Sequence, residues 1–296
     1  MMILSIIVIN YKMEDLTISF VRDELCKMKT PHKVVIVNNA ATPESNAVMS
    51  KALKAQVIAD VEADVETGND IFIISSPENL GFARGNNLGA DFSKRHFNPE
   101  YILFSNNDIV FKDDNVVESL INKLETLPDA GVIGPMVIGL DGIEQSPWPY
   151  RSFWDREIWM YWSTFFYSKE KKIQRFQLDY PQKAAEGYHH YVMGSFFMVR
   201  ANDFFECGMF DPQTFLYAEE EILSERMAAI GKKVYYLPVA CVIHAHGSTT
   251  SKMSRNKASD LQFKSECYYY KTYRHTCFLT LLLGKITHVL IGFKRR

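Results

Sequence analysis

The chain has 296 residues, 47% hydrophobic and 23% charged, which is ordinary globular composition and enough for a sizeable core. A formal net charge of -2 gives no case for a nucleic-acid partner. The five cysteines (Cys26, Cys207, Cys241, Cys267 and Cys277) are scattered and form no CxxC pair, which fits a reducing compartment better than a disulfide framework or a zinc site.

The opening stretch "MMILSIIVINYK" has no basic n-region and no small-residue cleavage site, so it reads as a strand rather than a signal peptide. No run reaches the ~18 apolar residues that would span a bilayer. The nearest, 277–296, is broken by Gly284, Lys285 and His288. The expectation is a cytoplasmic protein, with peripheral attachment to the inner membrane face as an option for the tail.

In chain order, "LSIIVIN" (4–10) predicts a strand covered on both faces, and Leu16, Phe20, Leu25 and Met28 suggest a helix over 14–29. Strands follow at 33–39, 71–75 and 101–105, with helices at 44–56, 82–97 and 114–127 between and after them. The alternation predicts an α/β fold with a mainly parallel, doubly wound sheet, whose ligands belong at the strands' carboxyl ends. Three of those ends are polar (Asn10, Asn38–Asn39 and Asn106–Asp108), which is more than turn chemistry asks of one sheet edge. The second half is less regular. An aromatic stretch at 146–167 precedes a strand at 189–201, a helix at 219–230 and a strand at 233–238.

Four clusters hold groups suited to chemistry. Asp108 ends a core strand and suits a divalent cation if other oxygen ligands reach it, although in isolation an Asx-turn capping the next helix is the better explanation. Glu219, Glu220 and Glu221 open a helix, where the dipole favours negative charge by ~0.3–1 kcal/mol each, and a carboxylate held there suits a general base. His244 and His246 alternate along a strand, as two metal ligands or as loop histidines. In "PENLGFARGNNLGADF" (77–92), glycines permit close backbone approach and a helix start offers N–H groups to an anion. The stretch is neither a dinucleotide fingerprint nor a P-loop.

In register, "SIIVINYK", "VVIVNNAA", "ENLGFARGNNLG", "ILFSNNDIVF", "GSFFMVR", "FDPQTFLYAEEEILSERM" and "VIHAHGST" resemble a family 2 glycosyltransferase of the rhamnosyltransferase-like kind, over roughly 3–250. The resemblance implies a GT-A-type fold: a catalytic domain at 1–258, with a nucleotide-sugar half (1–110) and an acceptor half (111–258), then a helical tail at 259–296. It implies a nucleotide-diphospho-sugar donor, a saccharide or lipid-linked acceptor, and Mg²⁺ or Mn²⁺. Asn10, Asn38, Asn79 and Asn107 would serve the nucleotide, with Gly81 and Asn86 beside the diphosphate. Asp108 and His244 would hold the metal. Glu220 would be the base of an inverting attack, with Glu219 orienting it or the acceptor. Three positions depart from the family: Asn106 replaces the first Asp of D-x-D, Asn38 replaces the Asp of "VDN", and Glu220 stands for the catalytic Asp. Two further readings remain: a sugar-nucleotide binder that has lost catalysis, and a sugar-phosphate nucleotidyltransferase, for which "NYKMEDL" lacks the basic glycine-rich loop. Leu279, Leu282, Leu283, Ile286 and Leu290 predict a tail helix apolar enough to need membrane contact, a homodimer interface or burial in the core.

Overall fold

The alternating residues of the first strand, β1 (Leu4–Asn10), divide between two cores: Leu4, Ile6 and Val8 face one, Ile7 the other. β2 (His32–Asn39) divides in the same way, so both faces of the sheet are covered by helices. In this computed structural model the described residues are 4–62, 65, 68–178, 184–245 and 255–294.

Between those strands lies α1 (Glu14–Ser19), continued by a π-turn over Phe20–Glu24 and a 3₁₀ turn over Leu25–Lys27. The continuous helix expected over 14–29 is therefore broken, and the apolar spacing explains it. Phe20 and Leu25 are five apart, and the wider π-turn lets both bury, at 2% and 1% exposure. Next come α2 (Pro43–Leu53), β3 (Gln56–Ile58), β4 (Ile71–Ser76), α3 (Gly81–Phe97), β5 (Tyr101–Ser105), β6 (Ile109–Phe111), α4 (Val116–Glu125) and β7 (Ala130–Gly139). A second π-turn (Trp154–Trp159) leads through α5 (Met160–Trp162) to α6 (Lys169–Phe176). The expected strand over 189–201 is two strands, β8 (Gly187–His189) and β9 (Phe196–Arg200), on different partners. α7 (Ala201–Glu206), α8 (Glu219–Ala229), β10 (Lys233–His244), α9 (Arg255–Thr272) and α10 (Phe278–Lys294) complete the order.

The sheet runs β3-β4-β2-β1-β5-β9-β7-β10-β6, with β8 paired to β10. The half from β3 to β5 is parallel throughout, as the βα alternation requires. β9 enters antiparallel between β5 and β7, which carries the residues before it to the carboxyl edge of β5. β10 extends past the expected end at 238, through a register shift between Leu237 and Cys241, so that His244 is its last residue. α8 is apolar on two sides: Leu223 and Met227 join the sheet core, and Ile222 joins a third cluster with Phe153, Ile158, Tyr269 and Tyr270. α9 and α10 form the C-terminal helical tail, and α9 packs on α8 through Tyr269 and Tyr270. Among the described residues no helix is long and apolar enough to cross a membrane.

Candidate active site

The polar strand ends form one hydrogen-bonded row. Asn107 donates to the Thr17 hydroxyl at 2.9 Å, Thr17 donates to Asn10 Oδ1 at 2.8 Å, and Asn10 donates to Asn38 Oδ1 at 2.7 Å. Asn38 then donates to Ser45 at 2.9 Å and to Asn46 at 2.8 Å. Asn10 and Thr17 are fully buried and Asn38 is 1% exposed, so the row is the floor of the strand edge, with its polar groups paired as burial demands. Thr17 was not singled out in the sequence. It lies in the helix after β1 and becomes a hub only through the fold.

The glycine-rich stretch has a packing role that the sequence does not show. Gly81 has φ +75°, and a Cβ there would strike the Phe215 carbonyl and ring. The amides at this helix start are already paired: Leu80 N–H with Asn39 Oδ1, Gly81 N–H with Asn79 Oδ1, and Phe82 N–H with Phe215 O. Asn86 is 2% exposed and donates to Phe82 O at 3.1 Å within its own helix, so its side chain is likewise committed. Asn87, missed in the sequence, exchanges two bonds with the Phe210 backbone, at 2.8 and 3.1 Å. The start of α3 therefore clasps the 210–217 loop that delivers α8. Further along, a Cβ at Gly89 would come within 2.7 Å of Ile7, so that glycine sets how closely α3 lies on the sheet.

That clasped loop ends in two successive non-glycine residues with left-handed backbone, Tyr217 at φ 76° and Ala218 at φ 68°. Strain of this kind costs of order 1–3 kcal/mol per residue and persists where the surroundings impose it. It delivers three glutamates at once. Glu219 is 3% exposed, its Oε1 has no hydrogen-bond partner, and burial with the neighbouring Glu220 charge holds its carboxyl well above the usual range. Glu221 accepts from Arg156 at 2.7 Å. Glu220 is partly buried. Burial pushes its carboxyl up to about 7, aided by the Glu221 charge and opposed by the Gly194 amide and the Arg156 charge. A Cβ at Gly194 would overlap the Glu220 carboxylate, so only glycine leaves room for that carboxylate against the backbone. Gly194 lies in the quoted "GSFFMVR", but nothing in sequence ties it to residue 220.

The same backbone leads to Asp108. Ser195, next to Gly194, accepts from the Asn106 amide at 2.8 Å, two residues before Asp108. Asp108 is 8% exposed, and its Oδ1 is buried without a hydrogen-bond partner. His244 Nε2 lies 3.3 Å from that oxygen, and Asn106 Nδ2 lies 3.4 Å from the same nitrogen. The other ring nitrogen, Nδ1, is 2.9 Å from Gln145 Oε1. A carbonyl oxygen accepts only, so Gln145 Oε1 takes the Nδ1 hydrogen, and Nε2 faces Asp108 and the Asn106 amide. A buried carboxylate oxygen without a hydrogen bond, beside an imidazole nitrogen, fits a divalent cation held by both. No group of three or more His, Cys, Asp or Glu suited to a metal occurs among the described residues. His246, paired with His244 in the sequence reading, lies outside the described residues.

Behind α8, Arg156 bridges Glu221 at 2.7 Å and Glu266 at 3.0 Å. Burial opposes the charge of this guanidinium, but the two carboxylates outweigh it and hold the group above its usual range. Glu157, 7% exposed, is pushed up by burial first and by its hydrogen bond to Glu266 second, so it keeps its proton. Arg156 sits in the aromatic stretch, where its partners, 65 and 110 residues away, could not be read.

A parallel nucleotide-type half-sheet, an antiparallel insertion, and a carboxylate with a histidine at the strand edge define a GT-A-type transferase scaffold. Comparison places it further: the glycosyl transferase family 2 pattern matches residues 5–201, and the chain belongs to that family. It is similar to the rhamnosyltransferase WbbL of Escherichia coli (strain K12), 26% identical over 181 residues, covering 59% of this chain and 65% of that protein. It is also similar to the N-acetylglucosaminyl-diphospho-decaprenol L-rhamnosyltransferase of Mycobacterium tuberculosis, 26% identical over 166 residues, 52% of this chain and 49% of that protein. The alignments thus span less than two thirds of either relative's length. The mannosyltransferase PcManGT from Pyrobaculum calidifontis, solved in complex with GDP-Man and Mn²⁺, shares the fold, with a TM-score of 0.59 and 12% identity, covering 96% of this chain and 73% of that one.

Proposed function

We propose that the chain is an inverting, divalent-metal-dependent glycosyltransferase that moves a sugar, rhamnose in the first instance, from a nucleotide-diphospho-sugar to a hydroxyl of a glycan or lipid-linked saccharide. The observation that carries this reading is the backbone relay from Glu220 to Asp108. The Glu220 carboxylate lies against the Gly194 backbone, and the carbonyl of Ser195 next to it accepts from the Asn106 amide. Residues more than a hundred positions apart are thereby fixed at one strand edge. The names of the curated relatives support the choice of rhamnose and of a lipid-linked acceptor.

In this reading Glu220 takes the proton of the acceptor hydroxyl as its oxygen bonds to the anomeric carbon. The bond from that carbon to the diphosphate breaks, and its electron pair leaves on the diphosphate oxygen. Attack from the opposite face inverts the centre. A carboxylate whose pKa lies near 7 is well matched to this task. Asp108 and His244 would hold Mg²⁺ or Mn²⁺, which supplies positive charge to the departing diphosphate; one protein carboxylate suffices if the diphosphate and water complete the shell. Gln145 fixes the histidine tautomer, and the Asn107–Thr17–Asn10–Asn38 row supports the nucleotide, with Asn79 at its rim.

Titrating deoxythymidine diphosphate by calorimetry with and without Mn²⁺ tests the binding half. The expected result is tight binding only with the metal, weakened in Asp108→Asn. Metal-independent binding, or preference for a nucleoside triphosphate, contradicts it.

A further inference from the structure

α10 is half committed. One face packs on the protein: Gly284 lies against Phe153, Thr287 accepts from Trp162 Nε1 at 3.1 Å, and His288 stacks on Phe263 with ring centres 4.2 Å apart. The opposite face presents Leu279, Leu282, Leu283, Ile286, Val289 and Leu290, each 41–70% exposed. Trp162, which touches α10 through Thr287, is 43% exposed, and the nearby chain positions Phe165 and Phe166 are 63% and 70% exposed. A contiguous apolar face of this kind is a contact surface in search of a partner.

Charge selects the partner. From Cys267 to Arg296 the sequence has six basic residues (Lys271, Arg274, Lys285, Lys294, Arg295 and Arg296) and no Asp or Glu, although Arg274 pairs with Glu225 and His288 with Asp260, each at 2.9 Å. A two-fold pairing of this face with a second copy would bring like charges together. A bilayer of anionic lipid takes the apolar side chains and the cations at once. Tryptophan and phenylalanine beside the face suit the headgroup boundary. Seventeen residues of helix span about 26 Å, too short to cross the ~30 Å hydrocarbon core, so the helix lies in the surface plane.

We propose that α10 is an interfacial anchor, its exposed face seated at the headgroup–acyl boundary of an anionic membrane. The inference rests on this surface and not on the transferase reading, and it stands or falls independently of turnover. The test is co-sedimentation of the full chain with phosphatidylcholine vesicles, with and without phosphatidylglycerol, beside the variant Leu283→Glu/Ile286→Glu/Leu290→Glu. The full chain is expected to pellet with the anionic vesicles and to be released by salt. The triple variant is expected to partition at least about tenfold more weakly. Because the three side chains are exposed, its circular dichroism and melting temperature should match those of the parent, which separates lost binding from lost fold. Retention of the full chain in the supernatant, an unchanged bound fraction in the variant, or a dimer dissolved by the variant in place of vesicle binding overturns the proposal.

Discussion

A general base must be ionised before it can accept a proton, and Glu220 loses its proton only near pH 7 because burial opposes its charge. The rate of the chemical step should therefore rise with pH through about 7 and level off above it. Stability should move the other way. The folded protein holds this proton more tightly than the unfolded chain does, so the stabilisation is full below the ordinary carboxylate range and is lost as pH rises through about 7. Glu220→Gln should lower kcat by ~10²–10⁴ with donor binding little changed, and should flatten both profiles. A larger kcat effect from Glu219→Gln or Glu221→Gln would move the base to another residue. Gln145→Leu leaves both metal-site side chains in place but frees the imidazole to choose its tautomer. Mn²⁺ affinity, read by electron paramagnetic resonance, should fall ~10–100-fold. An unchanged affinity would remove Gln145 from the account.

At the scale of elements, the start of α8 is hemmed in from three directions: by the α3 clasp through Asn87 and Phe82, by the Gly194 backbone against the Glu220 carboxylate, and by Arg156 from the second π-turn. Arg156→Ala would leave Glu221 and Glu266, at 5% and 1% exposure, as buried carboxylates without their cation. A loss of roughly 3–5 kcal/mol in urea unfolding is expected, the usual cost of removing one partner of a buried pair. A loss below about 1 kcal/mol would show that the network is dispensable. β1, β2, β4 and β5 were legible in the sequence because burial on both faces leaves each as a nearly unbroken apolar run. The region from 141 to 195 was not. Its organisation depends on a π-turn, a three-residue strand and ion pairs to distant helices, none of which imposes a local period. Asp108, the Glu219–Glu221 cluster and His244 stand out by their chemistry at element ends, and the family resemblance picks Glu220 from its cluster, whereas Gly194, Gln145 and Asn87 act through partners distant in the chain. In the glycine stretch the sequence marks close backbone approach, and the structure shows what approaches: Phe215 at Gly81 and Ile7 at Gly89.

For the molecule as a whole, one sheet edge gathers the polar row of the parallel half, the Asp108–His244 pair and the Glu220 carboxylate. α9 ties this arrangement to the face that carries α10 through buried Tyr269, Tyr270 and Glu266. Asp108→Asn should preserve the fold, since its Oδ1 makes no hydrogen bond, yet abolish metal-dependent turnover. Full activity of that variant at saturating donor and Mn²⁺ would exclude the carboxylate from the site. The most direct measurement is to incubate the wild type and Glu220→Gln with Mn²⁺, a panel of nucleotide-diphospho-sugars and glycan acceptors, and to follow nucleoside diphosphate and glycoside by mass spectrometry. The wild type should form both products from one donor class, and Glu220→Gln should form them ~10²–10⁴-fold more slowly. Equal rates in the two proteins, binding without release of nucleoside diphosphate from any donor, or pyrophosphate release from a nucleoside triphosphate would contradict it.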